Sequence, residues 1–162
     1  MIAIKEKILI NSNNNIIWIF LTDFKKSLSF NQFHSKIIIP PKYSINKGFQ
    51  FEIEHNFGFG RYNMNAQVLE AIPLKEIIIS EKTQNNLNSG FNHEIKFNII
   101  KKNNQSFLEY SVEGTFNNKL INKPFKPILR AVIISELKQI KKTIESIETD
   151  RKFINSKQFK II

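Results

Sequence analysis

Four side chains able to carry proton or metal chemistry interrupt apolar faces that are otherwise regular: Glu6, His55, His93 and Glu136. His55 falls in step with Phe49, Phe51, Ile53 and Phe57, and His93 with Phe91, Ile95, Phe97 and Ile99, at the spacing of strands. Glu136 falls between Val132, Ile133 and Ile140 at the spacing of a helix, near the middle of its apolar stripe. Tyr62 and Tyr110 add hydroxyls to the same dry faces. An unpaired buried carboxylate is costly, so such a group is normally paired, hydrogen-bonded or turned toward a wet cavity. A few convergent polar groups in apolar surroundings are the usual form of a small-molecule site. The expectation is that Glu136 and one or both histidines hydrogen-bond the polar end of an otherwise hydrophobic ligand. Plainer roles compete with it: His55, near a strand end, at a rim facing water; His93 satisfied internally; Glu136 as the structural partner of a Tyr, a His or a loop amide.

The same residues admit two further chemistries. A Glu/His pair is suited to moving a proton alpha to a carbonyl, as aldol cyclisation or dehydration requires. His55, His93 and Glu136 are also metal-ligand types, but they lie on three separate elements with no close-spaced pair, so no metal and no other cofactor is expected. The chain has no Cys, which excludes disulfides, thiolate metal sites and cysteine nucleophiles. Gly58-Phe59-Gly60 lacks the third glycine of a dinucleotide fingerprint and reads as a hairpin.

The elements that must position these groups follow from periodicity. Residues 2–10 alternate as a strand, with Glu6 on its apolar side. Asn11-Ser12-Asn13 supplies capping chemistry for a helix carrying Ile16, Phe20 and Phe24, and Lys25–Phe33 reads as a second short helical or turn segment. Ser35–Ile39 reads as a strand stopped by Pro40-Pro41. From residue 48 to 116 the period is two, in segments 48–57, 62–73, 75–84, 91–99 and 107–116, with Asn85–Gly90 as a turn. One wet and one dry face mark an antiparallel sheet joined by hairpins. Pro124 and Pro127 open a helix predicted from Phe125 to about Glu148, roughly 36 Å long at ~1.5 Å per residue. A strongly curved sheet wrapped around that helix is the economical arrangement.

The order of strand, two short helices, six strands and a long C-terminal helix resembles the helix-grip fold of the SRPBCC (START-related, pollen-allergen-like) superfamily. The start NNNIIWIFLTDF is similar to that family's opening pattern at Ile17, Trp18, Leu21 and Asp23; KGFQF (Lys47 to Phe51) and VLEAIP (Val68 to Pro73) are similar to two later strands. LEYSVEGTF and LKQIKKTIE resemble its final strand and helix end, and the polyketide cyclase/dehydrase-like branch is the nearest. The resemblance implies an α+β domain over residues 1–149, a seven-stranded curved antiparallel sheet around a long C-terminal helix, with residues 150–162 as a basic tail. It also implies a deep apolar cavity for a lipid, steroid-like, aromatic or polyketide ligand, and it carries no universal catalytic residues. The expected lining is Phe51, Ile53, Met64, Ala66, Ile95, Phe97, Tyr110, Val112, Leu129, Ile133 and Leu137, with His55, His93 and Glu136 as polar groups.

Charge is uneven within a net of +10: from Lys119 onward there are 11 basic and 4 acidic residues. Most basic residues are Lys rather than the Arg that nucleic-acid readers use for bidentate contacts, so no specific nucleic acid is expected, only weak attraction to anionic surfaces. No apolar run is long enough to span a bilayer, and a cytoplasmic location is expected. The favoured reading is a binding protein for a hydrophobic small molecule. The alternatives are a cyclase/dehydratase using the same cavity, and an interaction module docking on an anionic membrane or RNA through the basic helix and tail.

Overall fold

In a computed structural model, residues 1–84 and 90–158 are described, with side chains as far as residue 150. Strand β1 (Ile2–Ile10) leads into helices α1 (Asn14–Thr22) and α2 (Phe24–Ser27), followed by a 3-10 turn at Leu28–Phe30. Strands β2 (His34–Ile38), β3 (Gln50–Asn56), β4 (Arg61–Ile72), β5 (Glu76–Thr83), β6 (Phe91–Lys102) and β7 (Gln105–Phe116) precede the long helix α3 (Asn122–Gln158). The strands form one antiparallel sheet in the order β1-β7-β6-β5-β4-β3-β2, curled around α3 as the helix-grip pattern requires. Register shifts between His34 and Lys36 and between Val68 and Glu70 mark the bends, since an extra residue in one strand tightens the local twist.

Local chemistry explains the joints. The Asn13 side chain accepts the Ile16 N–H at 3.0 Å and starts α1, as its capping residues predict. Asn103 and Asn104, both at positive φ, make the two-residue hairpin between β6 and β7. Helix α3 begins where the buried Asn122 amide donates to Thr115 Oγ1 at 2.9 Å and accepts from the Phe116 N–H at 3.0 Å. Farther along, Glu145 accepts the Asn11 N–H at 2.8 Å and Lys141 donates to the Leu9 carbonyl at 2.8 Å, which ties α3 to the β1–α1 corner.

Two boundaries differ from the sequence expectation. Helix α3 starts at Asn122 rather than Phe125, and Pro127 lies inside it, where the ring forfeits a bond to the Lys123 carbonyl. It also continues to Gln158, through most of the segment expected as a tail; residues 149–158 hold no Pro or Gly to stop it. The turn expected at Asn85–Gly90 lies, except for Gly90, outside the described residues.

The inner faces of the sheet, α1 and α3 merge into one core that includes Phe51, Ile53, Ala66, Ile95, Phe97, Tyr110, Val112, Leu129, Ile133 and Leu137. Met64 is buried as well. Helix α3 lies closest to β1 and next to β7, so its distance from the sheet widens toward β3–β6.

Candidate functional site

All three histidines of the chain converge inside the curl of the sheet. His34 stands opposite His55 in the β2–β3 register, and Glu81 stands opposite His93 in the β5–β6 register. Strand β4 runs between these two pairs, and Ala66 on it, opposite Glu81, contributes only a methyl group beside the carboxylate. The Glu81 carboxylate spans the interval: its Oε2 lies 2.7 Å from His55 Nε2 and 3.6 Å from His93 Nε2. The His34 and His55 rings are 4.7 Å apart, centre to centre. His34 Nδ1 donates to the Leu28 carbonyl at 2.7 Å, and His93 Nδ1 to the Phe91 carbonyl at 2.9 Å. Gly114, opposite His93 on β7, fits because a Cβ there would run into the Cβ of His93 and the carbonyl of Asn92.

Protonation follows from these contacts. Burial pushes the Glu81 carboxyl up, but the neighbouring His93 and His55, with the hydrogen bond from His55, outweigh it and hold the pKa down to about 2. His34 is lowered to about 4, by burial first and then by His55, with Glu81 opposing only in part. Burial lowers His93 as well. The result is an ionised carboxylate among imidazoles, with His34 and His93 held neutral at neutral pH.

Deeper toward α3 lies a second polar group of a different kind. Glu136, fully buried on α3, faces the Tyr110 hydroxyl from β7 and the side chain of Asn31, which follows the 3-10 turn. Neither Glu136 oxygen nor the Tyr110 hydroxyl has a hydrogen bond of proper geometry among the described residues. Burial drives the Glu136 carboxyl well above the ordinary carboxylate range, against the pull of Tyr110 and Asn31, with negative Glu81 pushing the same way as burial. Tyr110 is likewise raised, by burial and then by Glu136 and Glu81. Burial therefore favours the neutral acid form of Glu136.

Of the four polar interruptions seen in the sequence, His55 and His93 meet, while Glu136 sits with Tyr110 and Asn31 rather than with a histidine. His55 is 2% exposed and paired with Glu81, so the rim position weighed for it does not occur. Glu6 does sit at a rim: Arg130 Nε donates to its Oε1 at 2.6 Å, joining β1 to α3 at the surface. Sequence reasoning missed Glu81, His34 and Asn31. Glu81 was readable, because it shares the parity of the inward Ile77 and Ile79. His34, first residue of an edge strand, and Asn31, in a turn, carried no such periodic signal.

Of the described clefts, one of about 360 Å³ includes His93 in its lining, beside Ser80, Asn92 and Gly114, and the others lie away from the two buried carboxyl groups. One of about 700 Å³ runs over the outer face of the sheet past Gln50, Glu52, Asn65, Gln67 and Lys82. Another, of about 320 Å³, lies between α1 and α3 beside Ile16, Ile19, Phe20 and Ile147. Neither Glu136 nor Tyr110 lines any of the four clefts described.

No protein-family model matches the chain, and no curated protein matches it. Solved structures do share its fold. A conserved protein from Geobacillus kaustophilus superposes with a TM-score of 0.71 at 12% identity, over 90% of this chain and 96% of that one. StfQ, a di-domain aromatase/cyclase from the steffimycin biosynthetic pathway, gives 0.70 at 10% identity over 91% of this chain and 52% of its own length, so this chain spans about half of it. DynU16, from the dynemicin biosynthetic locus, gives 0.63 at 12% identity over 88% of this chain and 47% of its own. At these identities the likeness shows the fold, a curved sheet gripping a helix. No helix among the described residues is long and apolar enough to cross a membrane.

Proposed function

We propose that this chain is an SRPBCC-type binding protein for a hydrophobic small molecule, held between the inner face of β3–β7 and α3. Glu136, Tyr110 and Asn31 hydrogen-bond the ligand's polar end. One observation carries the reading: two carboxyl oxygens and a phenol are buried together with no hydrogen bond of proper geometry among the described residues. A native interior rarely leaves such groups unmet, because each forfeits its hydration without replacement. A carbonyl or hydroxyl on a ligand would accept from the Glu136 acid and from Tyr110. The widening between α3 and the β3–β6 side is where the apolar body would lodge, against Phe51, Ile53, Phe97, Leu129 and Ile133. The side chains in contact there must shift to admit it, so binding is coupled to a repacking of the interior.

The test is native mass spectrometry of protein from its own host, followed by rebinding of the molecule found to wild type and to Glu136→Gln and Tyr110→Phe. Co-purification of an apolar molecule that both substitutions weaken is the expected result. Protein that carries nothing and binds no apolar fluorescent probe sinks the reading.

A second reading has its own observation. Glu81 and Glu136 are buried carboxyl groups pushed in opposite directions, one an anion and one an acid. Such divergence is how one cavity supplies both a base and an acid. Dehydration or cyclisation of a carbonyl ligand is the matching chemistry, and the fold relation to an aromatase/cyclase makes it the enzyme class to assay. Turnover of a bound polyketone that Glu136→Gln abolishes without loss of binding favours it over simple carriage.

A further inference from the structure

We infer that His34, His55 and Glu81, with His93 beside them, form a binding site for one divalent transition-metal ion, zinc by preference. The inference does not rest on the ligand reading above and uses none of the three side chains that bind the ligand's polar end there.

Geometry supplies the first argument. One donor atom from each of His34, His55 and Glu81 lies within 4.8 Å of the other two. Zinc holds His nitrogen at about 2.0–2.1 Å and carboxylate oxygen at about 2.0–2.2 Å, so bound ligand atoms stand roughly 3.3–3.5 Å apart. Shifts of about an ångström in these side chains, within ordinary rotamer adjustment, close the set on an ion.

The hydrogen bonds supply the second. His34 and His93 each give the Nδ1 proton to a backbone carbonyl, of Leu28 and of Phe91. That arrangement fixes the neutral tautomer with its Nε2 lone pair free, as metal-bound histidines are usually held. His34 Nε2 is buried without a partner among the described residues, and so are His55 Nδ1 and Glu81 Oε1. His93 Nε2, an acceptor in this tautomer, faces the acceptor Glu81 Oε2 at 3.6 Å with no proton between them. A cation among these atoms satisfies the orphaned acceptors and relieves that opposition together.

Ligand type and access complete the case. Imidazoles with one carboxylate suit zinc and its neighbours better than magnesium or calcium, which prefer all-oxygen shells. Glu81 brings one negative charge to a pocket walled by Phe57 and Phe91, where charge is costly without a partner. The ion's path is the β2 edge, where His34 is only half-buried. Two histidines and a carboxylate leave a coordination position open, which His93 or a small ligand fills.

The test is titration of the full chain, without a polyhistidine tag, with Zn²⁺ alone and with Co²⁺ followed by visible absorption. One equivalent taken up, with intense cobalt bands of low coordination number, is the expected result. His34→Ala and Glu81→Gln should each weaken uptake by about 100-fold or more, since loss even of an outer partner costs 10–100-fold. Should Glu81→Gln fail to fold, His34→Ala at the half-buried strand edge still decides. Absence of stoichiometric uptake by wild type, or uptake indifferent to the substitutions that fold, overturns the site.

Discussion

Glu81 and Glu136 are both fully buried glutamates in one interior, close enough that negative Glu81 acts on both Glu136 and Tyr110, yet their carboxyls are pushed in opposite directions. Glu81 is embraced by imidazoles from β6, beside it in register, and from β3, across β4; Glu136 comes down from the helix onto a phenol and an amide. Burial acts the same way on both, so partners decide the outcome. The strand-borne cluster is a nearly closed set of contacts centred on an anion. The helix-borne one is pushed toward the neutral acid and awaits an acceptor.

The sharpest way to break this contrast is to replace each carboxyl by an apolar chain of similar length. Glu81→Met should destabilise by about 3 kcal/mol, because His55 loses its bond to a charged group and is left buried and unmet. Glu136→Met should stabilise by about 1–2 kcal/mol, since a buried polar group without a good partner gives way to an apolar one. Urea unfolding of both variants checks the pair. Equal signs would show that the two sites are not different in kind.

Acidity sharpens it next, in chelator-treated protein. His34 is lowered from 6.5 to about 4, so the unfolded chain takes up its proton first, and stability falls as pH drops through that window. His93, lowered too, acts in the same sense. Glu81, lowered from 4.5 to about 2, adds loss as pH falls through that lower window. Glu136 is raised, so its contribution is complete below 4.5 and is lost as pH climbs toward its folded value. Each group acts with a slope of about 1.4 kcal/mol per pH unit. Wild type should therefore show opposed slopes between pH 4.5 and 6.5, whereas Glu136→Met should gain stability more steeply across that range. Unfolding midpoints of the two proteins across the range are the check.

What the sequence could show divides along the same line. Strand alternation revealed the sheet, its dry face and the places of His55 and His93, and helical spacing that of Glu136, because period two and period 3.6 are local properties. It also held Glu81, whose parity with Ile77 and Ile79 is unambiguous. It did not hold the meeting of His34 with His55 or of Glu81 with both, because that depends on strand order across β4 and on the curl of the sheet. The approach of Asn31 to Glu136 was equally hidden, since Asn31 sits in a turn with no period to place it. The end of α3 was misjudged for a simpler reason: a change to polar composition is not a stop signal, and the stretch has neither Pro nor Gly.

A third carboxylate calibrates the other two. Glu6 shares the apolar parity of β1, yet it lies where the sheet rim meets α3, with its side chain 21% exposed and that of its partner Arg130 62% exposed. Water screens both charges, and holding a long arginine in place costs rotamer entropy, so a 2.6 Å contact there contributes little. Glu6→Gln and Arg130→Gln should each cost less than about 1 kcal/mol, and the double variant about as much as the sum, with a coupling of a few tenths. Added salt should shrink even that, while leaving the Glu81→Met penalty nearly intact, because screening does not reach a dry interior. A Glu6 penalty as large as that of Glu81 would mean that removal of a carboxylate from this fold costs the same anywhere, and the distinction between the buried sites would lose its physical basis.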